Sequence, residues 1–390
     1  MKKFAKILSA VVAGMFAFSC VTDTTEDLGV NVGETGATEF AISLEASRTQ
    51  LGDRDAEGKY PLYWSEGDQI AINGNVSEPL AAENEGSASA LFRFGKALLT
   101  PPYCVVYPAQ EGEGEGTTFP VTFAATQLYT EGTFAPNAAP LYGYAENAGS
   151  EQIQLKHLTG VLRLAVKGNG ETLTSVVAKS AIGKIAGPFT VDCKSGKLMA
   201  QDGASNTVTV TFDEPFVLGS ETQYIYIAVP AGIYGDFILT LHTATDKMTL
   251  KFNTTSKPIL AGAVREFKEF TYQANEVSDE STVFEIDSKD ALIEFANAVN
   301  GGTFNYTAAA VVADIDMSGY DWTPIEGFDG MVFDGGATLG YAISGLNAPL
   351  FGTTSSAIMN TNLTDVNIAS NGRLALGAVA CVSPRVSSAL

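Results

Sequence analysis

Apolar and polar residues alternate with a period of two along most of the chain, and the runs break at Gly, Pro, Asn and Asp. This pattern predicts short β-strands, each with one face turned toward a core. The predicted strands of the first block are Thr38–Ala46, Asp68–Asn73, Ala88–Phe94, Tyr103–Tyr107 and Thr118–Ala125. Those of the second block are Gln152–Val166, Thr172–Ala178, Pro188–Asp192, Asn206–Phe212, Thr222–Val229, Asp236–Thr243, Lys247–Asn253 and Ala263–Tyr272. Two consecutive blocks of this kind predict two β-sandwiches.

The pattern changes after residue 275. Asp287–Asp290 supplies an N-cap and an acidic first turn, and Gly301-Gly302 closes the segment. Between them, Ala291, Leu292, Phe295, Ala296 and Val299 recur at helical spacing, which predicts one helix. Short apolar runs separated by Gly, Asp and Asn turns follow, and they are typical of stacked β-helix coils.

The N-terminus has the order of charged, apolar and small-residue regions that is typical of a bacterial signal peptide. Three lysines precede an apolar run over residues 7–18, which is too short to span a membrane as a helix. Small residues then lead to Cys20, and this order favours cleavage and acylation of the Cys20 thiol over simple secretion. Outer-membrane lipid is therefore a predicted partner through Cys20, and the acidic stretch behind it is predicted to be a tether.

The predicted fold class is all-β, with two tandem sandwiches and a C-terminal short β-helix-like module preceded by one helix. The predicted domains are a signal peptide (1–19), a flexible acidic tether (20–37), an N-terminal sandwich (38–147), a C-terminal sandwich (150–273), a linker (274–282) and the module (283–390).

Charge and composition narrow the function classes. The net charge of −21 and pI near 4.4 argue against nucleic acid and anionic membrane surfaces as partners. Beyond Cys20, the three cysteines Cys104, Cys193 and Cys381 lack CxxC spacing, so we expect each to pack as a small apolar residue. No metal or other cofactor is predicted.

The chain contains two histidines, His157 and His242, as candidates for acid–base catalysis. The alternation changes parity at His157, which predicts a bulge, and His242 falls on the more polar face of its strand beside Thr240. The sequence around them matches no catalytic motif, and phosphate loops, GxSxG and HExxH patterns are absent from it. Asp314-x-Asp316-x-Ser318 imitates the start of a calcium loop, but its twelfth position is Ile325. The chain is therefore predicted not to be an enzyme.

Several segments, in this order, resemble fimbrillin-like lipoproteins of the Bacteroidota over about residues 40–275. They are Arg48–Leu51, Tyr60–Ile70, Ala125–Gln127, Ala138–Gly143 and Tyr226–Gly232. The resemblance implies transthyretin-like sandwiches and a lipidated, surface-exposed precursor. The chain would then act as a pilus stalk, anchor or tip subunit, or as an adhesin of unknown ligand.

In pilus-forming members of that family, an arginine-specific protease removes the first strand, and the open groove accepts a strand from a neighbouring subunit. Carried over to this chain, Phe40, Ile42 and Leu44 would be the core-facing residues of the removable strand. Arg48 or Arg54 would be the cleavage site, although Arg48 is also compatible with an ordinary surface position. Other pilus subunits, or further copies of this chain, are then the partners.

The segment 283–390 resembles the GLUG-type β-helical repeats of bacterial surface proteins. The segments that carry this resemblance are Ala313–Ser318, Trp322–Ile325, Phe333–Gly336 and Ser344–Leu346. The run Gly336–Ile343 departs from the usual repeat, which puts the turn of the first coil in doubt, and the module is short. An end of so short a β-helix must be capped or paired.

Three hypotheses remain open from the sequence. The first is a pilus-related structural lipoprotein or adhesin at the outer membrane, with a fimbrial location as one form of it. The second is a surface glycan-binding lipoprotein, which would need exposed aromatic platforms although the chain has only Trp64 and Trp322. The third is a surface peptidase, which would need a pocket with converging polar groups around His157 or His242.

Overall fold

The computed structural model describes residues 38–44, 63–95, 99–110, 112–147, 152–255, 257–279, 283–329, 331–336, 340–368 and 378–382. All of them belong to one compact unit, residues 36–390. They form β-strands, one α-helix (α1, Lys289–Asn300) and a single 3-10 turn at Ala82–Asn84, and this confirms the predicted all-β class.

The strands of the first block are β1 Glu39–Leu44, β2 Ala71–Ile72, β3 Asn75–Val76, β4 Ser89–Arg93, β5 Tyr103–Tyr107, β6 Thr118–Phe123, β7 Thr126–Leu128, β8 Leu141–Ala145 and β9 Gln152–His157. Those of the second block are β10 Thr159–Lys167, β11 Thr172–Ser180, β12 Gly187–Asp192, β13 Lys197–Ala200, β14 Thr207–Val217, β15 Gln223–Pro230, β16 Asp236–His242, β17 Lys247–Asn253, β18 Val264–Glu266 and β19 Phe270–Thr271. The C-terminal elements are β20 Val283–Ile286, α1 Lys289–Asn300, β21 Ala308–Val311, β22 Ile315–Asp316, β23 Val332–Asp334, β24 Ile343–Ser344, β25 Phe351–Thr353, β26 Ala357–Met359, β27 Leu363–Thr364 and β28 Ala380–Val382.

The first sheet has the strand order β3-β2-β5-β8-β9-β1-β4. Its buried residues form one cluster with members from both ends of this order, so the sheet folds over on itself around a core. Strand β9 makes the corner, because its residues 152–155 pair with β1 while Lys156 and His157 pair with β8. The change of parity at His157 therefore marks a change of partner and the end of a strand, not a bulge within one strand over 152–166.

The second sandwich has two sheets, with orders β15-β10-β18 and β17-β16-β11-β14-β7. Strand β19 pairs with β10 beyond β18. The core between the sheets includes Leu162, Leu164, Ile225, Phe237 and Leu239, each with no exposed surface. Alternate residues of the facing strands supply this core, as the period of two requires.

Strand pairing crosses the boundary predicted near residue 148. Strand β7 pairs in parallel with β14, and β6 pairs with β12 to form a small sheet with β13. This small sheet covers the outer face of β5 through a second apolar cluster, which is why all residues of β5 are buried. The domain boundaries themselves stay predictions.

The C-terminal module is a parallel β-helix in its described part. Val283, Ala308, Val332 and Ala357 lie in register on successive strands, and β22, β24 and β27 form a second parallel sheet. Strands β25 and β28 form a third. The apolar core between these sheets is closed by α1 through Leu292, Phe295, Ala296 and Val299.

The predicted helix has the predicted ends. The Ser288 side chain accepts a hydrogen bond from the Ala291 N–H at 3.3 Å, and Gly301 is the C-cap. An aromatic contact fixes the helix on the module, since the rings of Phe284 and Phe295 stack at 6.0 Å.

The predicted linker is hydrogen-bonded to the second sandwich. The amide of Asn275 donates to the Thr249 carbonyl at 3.1 Å and accepts from the Thr249 N–H at 3.0 Å. The Asn275 N–H donates to the Lys247 carbonyl, so the linker lies along the free edge of β17. A small apolar contact of Ile182 with Ala308 and Val332 then joins the sandwich to the module.

Candidate functional site

Strand β1 occupies an interior position in the first sheet. It pairs antiparallel with β4, where Phe40 lies opposite Phe92, and parallel with β9, where Ile42 lies opposite Ile153. Both backbone edges of β1 are therefore hydrogen-bonded within the fold. Removal of this strand would leave two unpaired edges facing each other across a slot.

The inward face of β1 carries three apolar side chains. Phe40 and Ile42 have no exposed surface and Leu44 is 7% exposed. The Phe40 ring meets Tyr103 edge-on at 4.8 Å and Phe94 at 5.8 Å. These alternate positions fill the slot, and any strand that replaced β1 would need comparable side chains at the same spacing.

The outward face of β1 contributes much less. Glu39 is exposed, and Ala41 and Ser43 are half-buried. The Glu39 carboxylate lies 2.9 Å from Nε of Arg93 on β4, with both side chains largely in solvent. An exposed ion pair of this kind contributes little to stability, so the inward face holds β1 in place.

The segment around Trp64 supports the floor of this slot. The Trp64 ring is buried and meets Phe92 at 4.9 Å and Tyr107 at 5.4 Å. The Asp68 carboxylate accepts hydrogen bonds from the Ser65 N–H at 2.7 Å and the Tyr107 hydroxyl at 2.9 Å. Burial raises the pKa of Asp68, and these two donors partly offset the rise. The segment is thus a packed turn that fixes β4 beside β1.

The other predicted site residues cannot be placed. Cys20, Arg48 and Arg54 all lie outside the described residues, so acylation and cleavage at these positions stay predictions. Only the strand between them, with Phe40, Ile42 and Leu44, is described.

The two histidines lie at strand ends. His157 is the last residue of β9, opposite Leu141, and His242 is the last residue of β16, opposite Lys247. His242 and Thr240 share the more polar face of β16 as predicted, but this face is not solvated along its length, since His242 is half-buried and Thr240 is 2% exposed. Its hydroxyl lies 3.4 Å from that of Thr249 on the neighbouring strand, and this pairing allows it to be buried.

The described residues contain no group of three or more His, Cys, Asp or Glu side chains that could hold a metal ion. The carboxylates of the calcium-like segment have other partners. Asp314 accepts from the Ala342 N–H of the next coil at 2.9 Å, and Asp316 accepts from the Ser318 N–H at 2.8 Å. Both therefore stabilise turns and stacked coils.

Both tryptophans are core residues. Trp64 has no exposed surface, and Trp322 is 4% exposed with its indole N–H donating to the Pro349 carbonyl at 3.1 Å. A cluster of half-buried rings lies at the end of β14, where Phe212 and Phe216 stack at 4.7 Å and Tyr129 meets Phe216 edge-on. Because the two phenylalanines cover one face of each other, this cluster is better suited to packing than to ligand stacking.

Within the described parts of the chain, no helix is long and apolar enough to cross a bilayer. No protein-family model matches the chain, and a comparison with curated proteins finds no match.

Among solved structures, matches include proteins of Bacteroides and Parabacteroides. A protein of Bacteroides ovatus described as a candidate cell adhesion protein is 15% identical, with 60% of this chain and 92% of that chain covered and a TM-score of 0.39. A fimbrial protein of the same species is 12% identical, with 62% of this chain and 51% of that chain covered and a TM-score of 0.27. A fimbrial assembly protein of Parabacteroides distasonis is 10% identical, with 58% of this chain and 89% of that chain covered and a TM-score of 0.26.

Proposed function

We propose that the chain is a cell-surface lipoprotein of the fimbrillin type, which acts as a pilus subunit or an adhesin and assembles by exchange of its first strand. The observation that carries this proposal is the position of β1. An interior strand near the N-terminus fills a slot with Phe40, Ile42 and Leu44 alone, so an extended segment of another subunit can fill the same slot.

Cleavage at Arg48 or Arg54 would release β1 from the rest of the fold. The backbone of β4 and β9 would then offer hydrogen bonds on both sides of the slot, with apolar pockets between them. A segment of a neighbouring subunit with apolar residues at alternate positions gains both kinds of contact. Each bond to an otherwise open edge favours the polymer over the cleaved monomer.

The same cut would separate the body from its anchor. In this proposal Cys20 carries the acyl chains that hold the precursor in the outer membrane, and the acidic tether sets the fold away from the surface. An uncut chain stays an anchor subunit or a membrane-bound adhesin, and a cut chain enters the fibre. The described residues supply no observation that favours a glycan-binding or peptidase role over this one.

The test uses the full-length protein in detergent and an arginine-specific protease. Cleavage in the segment that follows β1 is expected to convert monomers into SDS-resistant ladders. The matched control is the double variant Arg48→Lys/Arg54→Lys, which keeps both charges but resists the protease. It should stay monomeric under the same treatment.

A peptide experiment separates strand exchange from unspecific aggregation. A synthetic copy of Glu39–Leu44 is expected to bind the cleaved protein and to suppress ladder formation. A copy with serine at positions 40, 42 and 44 should do neither, since it keeps the backbone bonds but lacks the pocket contacts. Cleaved protein that stays monomeric and binds neither peptide would overturn strand exchange.

A further inference from the structure

Two cysteines from different sheets meet in the cluster between β5 and β12. Cys104 lies on the outer face of β5, and Cys193 directly follows β12. Each is 1% exposed and has a free thiol, and both belong to one cluster with Val121 and Phe189. Their burial agrees with the prediction that they pack as small apolar residues. Burial alone does not require that each side chain contacts the backbone beside the other cysteine, as it does here.

Each cysteine touches the backbone next to the other. The Thr117 carbonyl accepts from the Cys193 N–H at 2.8 Å and also from the Cys104 Sγ at 3.8 Å. In return, the Cys193 Sγ donates to the carbonyl of Val105, the neighbour of Cys104, at 3.9 Å. The two side chains therefore lie next to each other in the cluster.

We propose that Cys104 and Cys193 form a disulfide in the exported protein, which ties the first sheet to the β6-β12-β13 sheet. This modification is independent of the strand exchange proposed above. The predicted signal peptide sends the chain to a compartment where disulfides form and persist.

Thiol–disulfide exchange supplies the chemistry, with a disulfide-bearing oxidoreductase or oxidised glutathione as the oxidant. Because both thiols are buried in the folded protein, exchange takes place during folding, while they are still accessible. The thiolate of one cysteine attacks one sulfur of that disulfide, forms a mixed disulfide and releases one thiolate. The other cysteine loses its proton to solvent, attacks the sulfur of the first and releases the second thiolate. Two electrons pass from the cysteine pair to the partner, whose disulfide becomes two thiols.

The two thiols shift each other's pKa. The neighbouring Cys193 thiol lowers the pKa of Cys104, while burial opposes it. The neighbouring Cys104 thiol, together with burial, raises the pKa of Cys193.

The test traps the thiols of the full-length chain after export. Cell envelopes are quenched with N-ethylmaleimide in denaturant, so that buried free thiols also react, and the protein is digested without reduction and analysed by mass spectrometry. The expected product is a linked pair of peptides that contain Cys104 and Cys193, with neither residue alkylated. The variant Cys381→Ser should give the same linked pair, which excludes a rearranged partner. Quantitative alkylation of both Cys104 and Cys193 would overturn the proposal.

Thermal unfolding gives a second readout. A cross-link between residues 104 and 193 reduces the conformational entropy of the unfolded chain and so stabilises the fold. Reduction of the linked protein should therefore lower its Tm by roughly 5–10 °C. The double variant Cys104→Ala/Cys193→Ala should show no such change with reductant. An equal shift in both proteins would mean that reduction acts elsewhere, and the stapling role would be wrong.

Discussion

The amide of Gln127 joins two segments that lie far apart in the sequence. It is 2% exposed, donates to the Ala228 carbonyl at 2.7 Å and accepts from the Ala228 N–H at 3.0 Å. Glutamine suits this position because its amide offers a donor and an acceptor to the two free backbone groups of one residue on β15. The side chain thereby continues the pairing of that strand where no neighbouring strand reaches it.

The variant Gln127→Leu should lose about 2 kcal/mol of unfolding free energy, because two buried backbone groups lose their partners while the apolar volume is retained. Urea unfolding followed by far-UV circular dichroism measures the loss. The control is Gln201→Leu, since Gln201 is exposed and its side-chain amide donates to the Thr190 hydroxyl and the Met199 carbonyl at the surface. Equal midpoints for both variants would contradict this account of Gln127.

Asp334 makes the module sensitive to pH. It is 6% exposed at the end of β23, and burial raises its pKa although the Gly336 N–H and the Asn360 side chain donate to it. A raised pKa in the folded state means that folding takes up a proton. This contribution to stability is complete below the ordinary value of 3.8 and is lost as pH rises through the folded pKa.

The variant Asp334→Asn keeps an acceptor for the Gly336 N–H and cannot ionise. Its stability relative to the native chain should therefore rise as pH increases from about 4 to 7, as thermal unfolding would show. Asp329→Asn is the control of opposite sign. Asp329 is exposed, and hydrogen bonds from Ser355 lower its pKa, so its contribution to stability is complete above the ordinary value of 3.8 and is lost as pH falls through the folded pKa. Relative to the native chain, that variant should therefore change little from about pH 5 to 7 and should gain stability as pH falls toward about 3. Parallel pH profiles for the two variants would contradict the assignment.

Few of these residue roles are visible in the sequence. The alternation around Gln127 marks a strand but does not indicate which distant backbone its amide meets. The cysteines likewise have no CxxC spacing that would indicate a pair. Residues 104 and 193 come together through the pairing of β6 with β12, which the sequence does not reveal. Phe40, Ile42 and Leu44 were accessible to prediction, since period-two alternation alone specifies their shared buried face.

At the scale of elements, the alternation of apolar and polar residues predicts which segments are strands far better than it predicts which strands pair with each other. The helix at 289–300 and most strands follow from capping residues and alternation. By contrast, 152–166 is divided into β9 and β10, which belong to different sheets, and β7 joins the second sandwich. Strand partners depend on long-range packing, and a period of two carries no information about it.

Strand β1 offers a test of whether its alternate, inward-facing residues hold it in the sheet. Ile42→Ala should cost about 2–5 kcal/mol, because it opens a cavity in a packed core. Ser43→Ala, one residue along on the opposite face, should change stability by no more than about 0.5 kcal/mol. Urea unfolding of the full chain compares the two. Similar losses would mean that β1 is not held by its inward face, which would also weaken the case for exchange.

At the scale of the whole molecule, the described parts of the second sandwich and the module meet through an apolar cluster centred on Ile182, and the Lys247–Asp279 ion pair adds a contact of the linker. Ile182 packs on Ala308 and Val332, and the linker is fixed to β17 through Asn275. Ile182 belongs to neither large core, so it couples two bodies that are each packed without it. This contact lies in a turn after β11 and has no pattern in the sequence that marks it as an interface.

The variant Ile182→Arg should therefore uncouple the module without unfolding it. Burial of one isoleucine stabilises the contact by roughly 1.5–3 kcal/mol, which corresponds to a factor of about ten or more in the population of the uncoupled state. Cleavage of the linker after Glu276 by a glutamate-specific protease should therefore be faster by about the same factor. Ile182→Leu keeps the apolar contact and should resist cleavage as the native chain does. Both fragments should retain their β-sheet signal in circular dichroism, since their cores are untouched. Degradation of either fragment to small peptides would show instead that Ile182 supports the fold of one body, and the coupling role would be wrong.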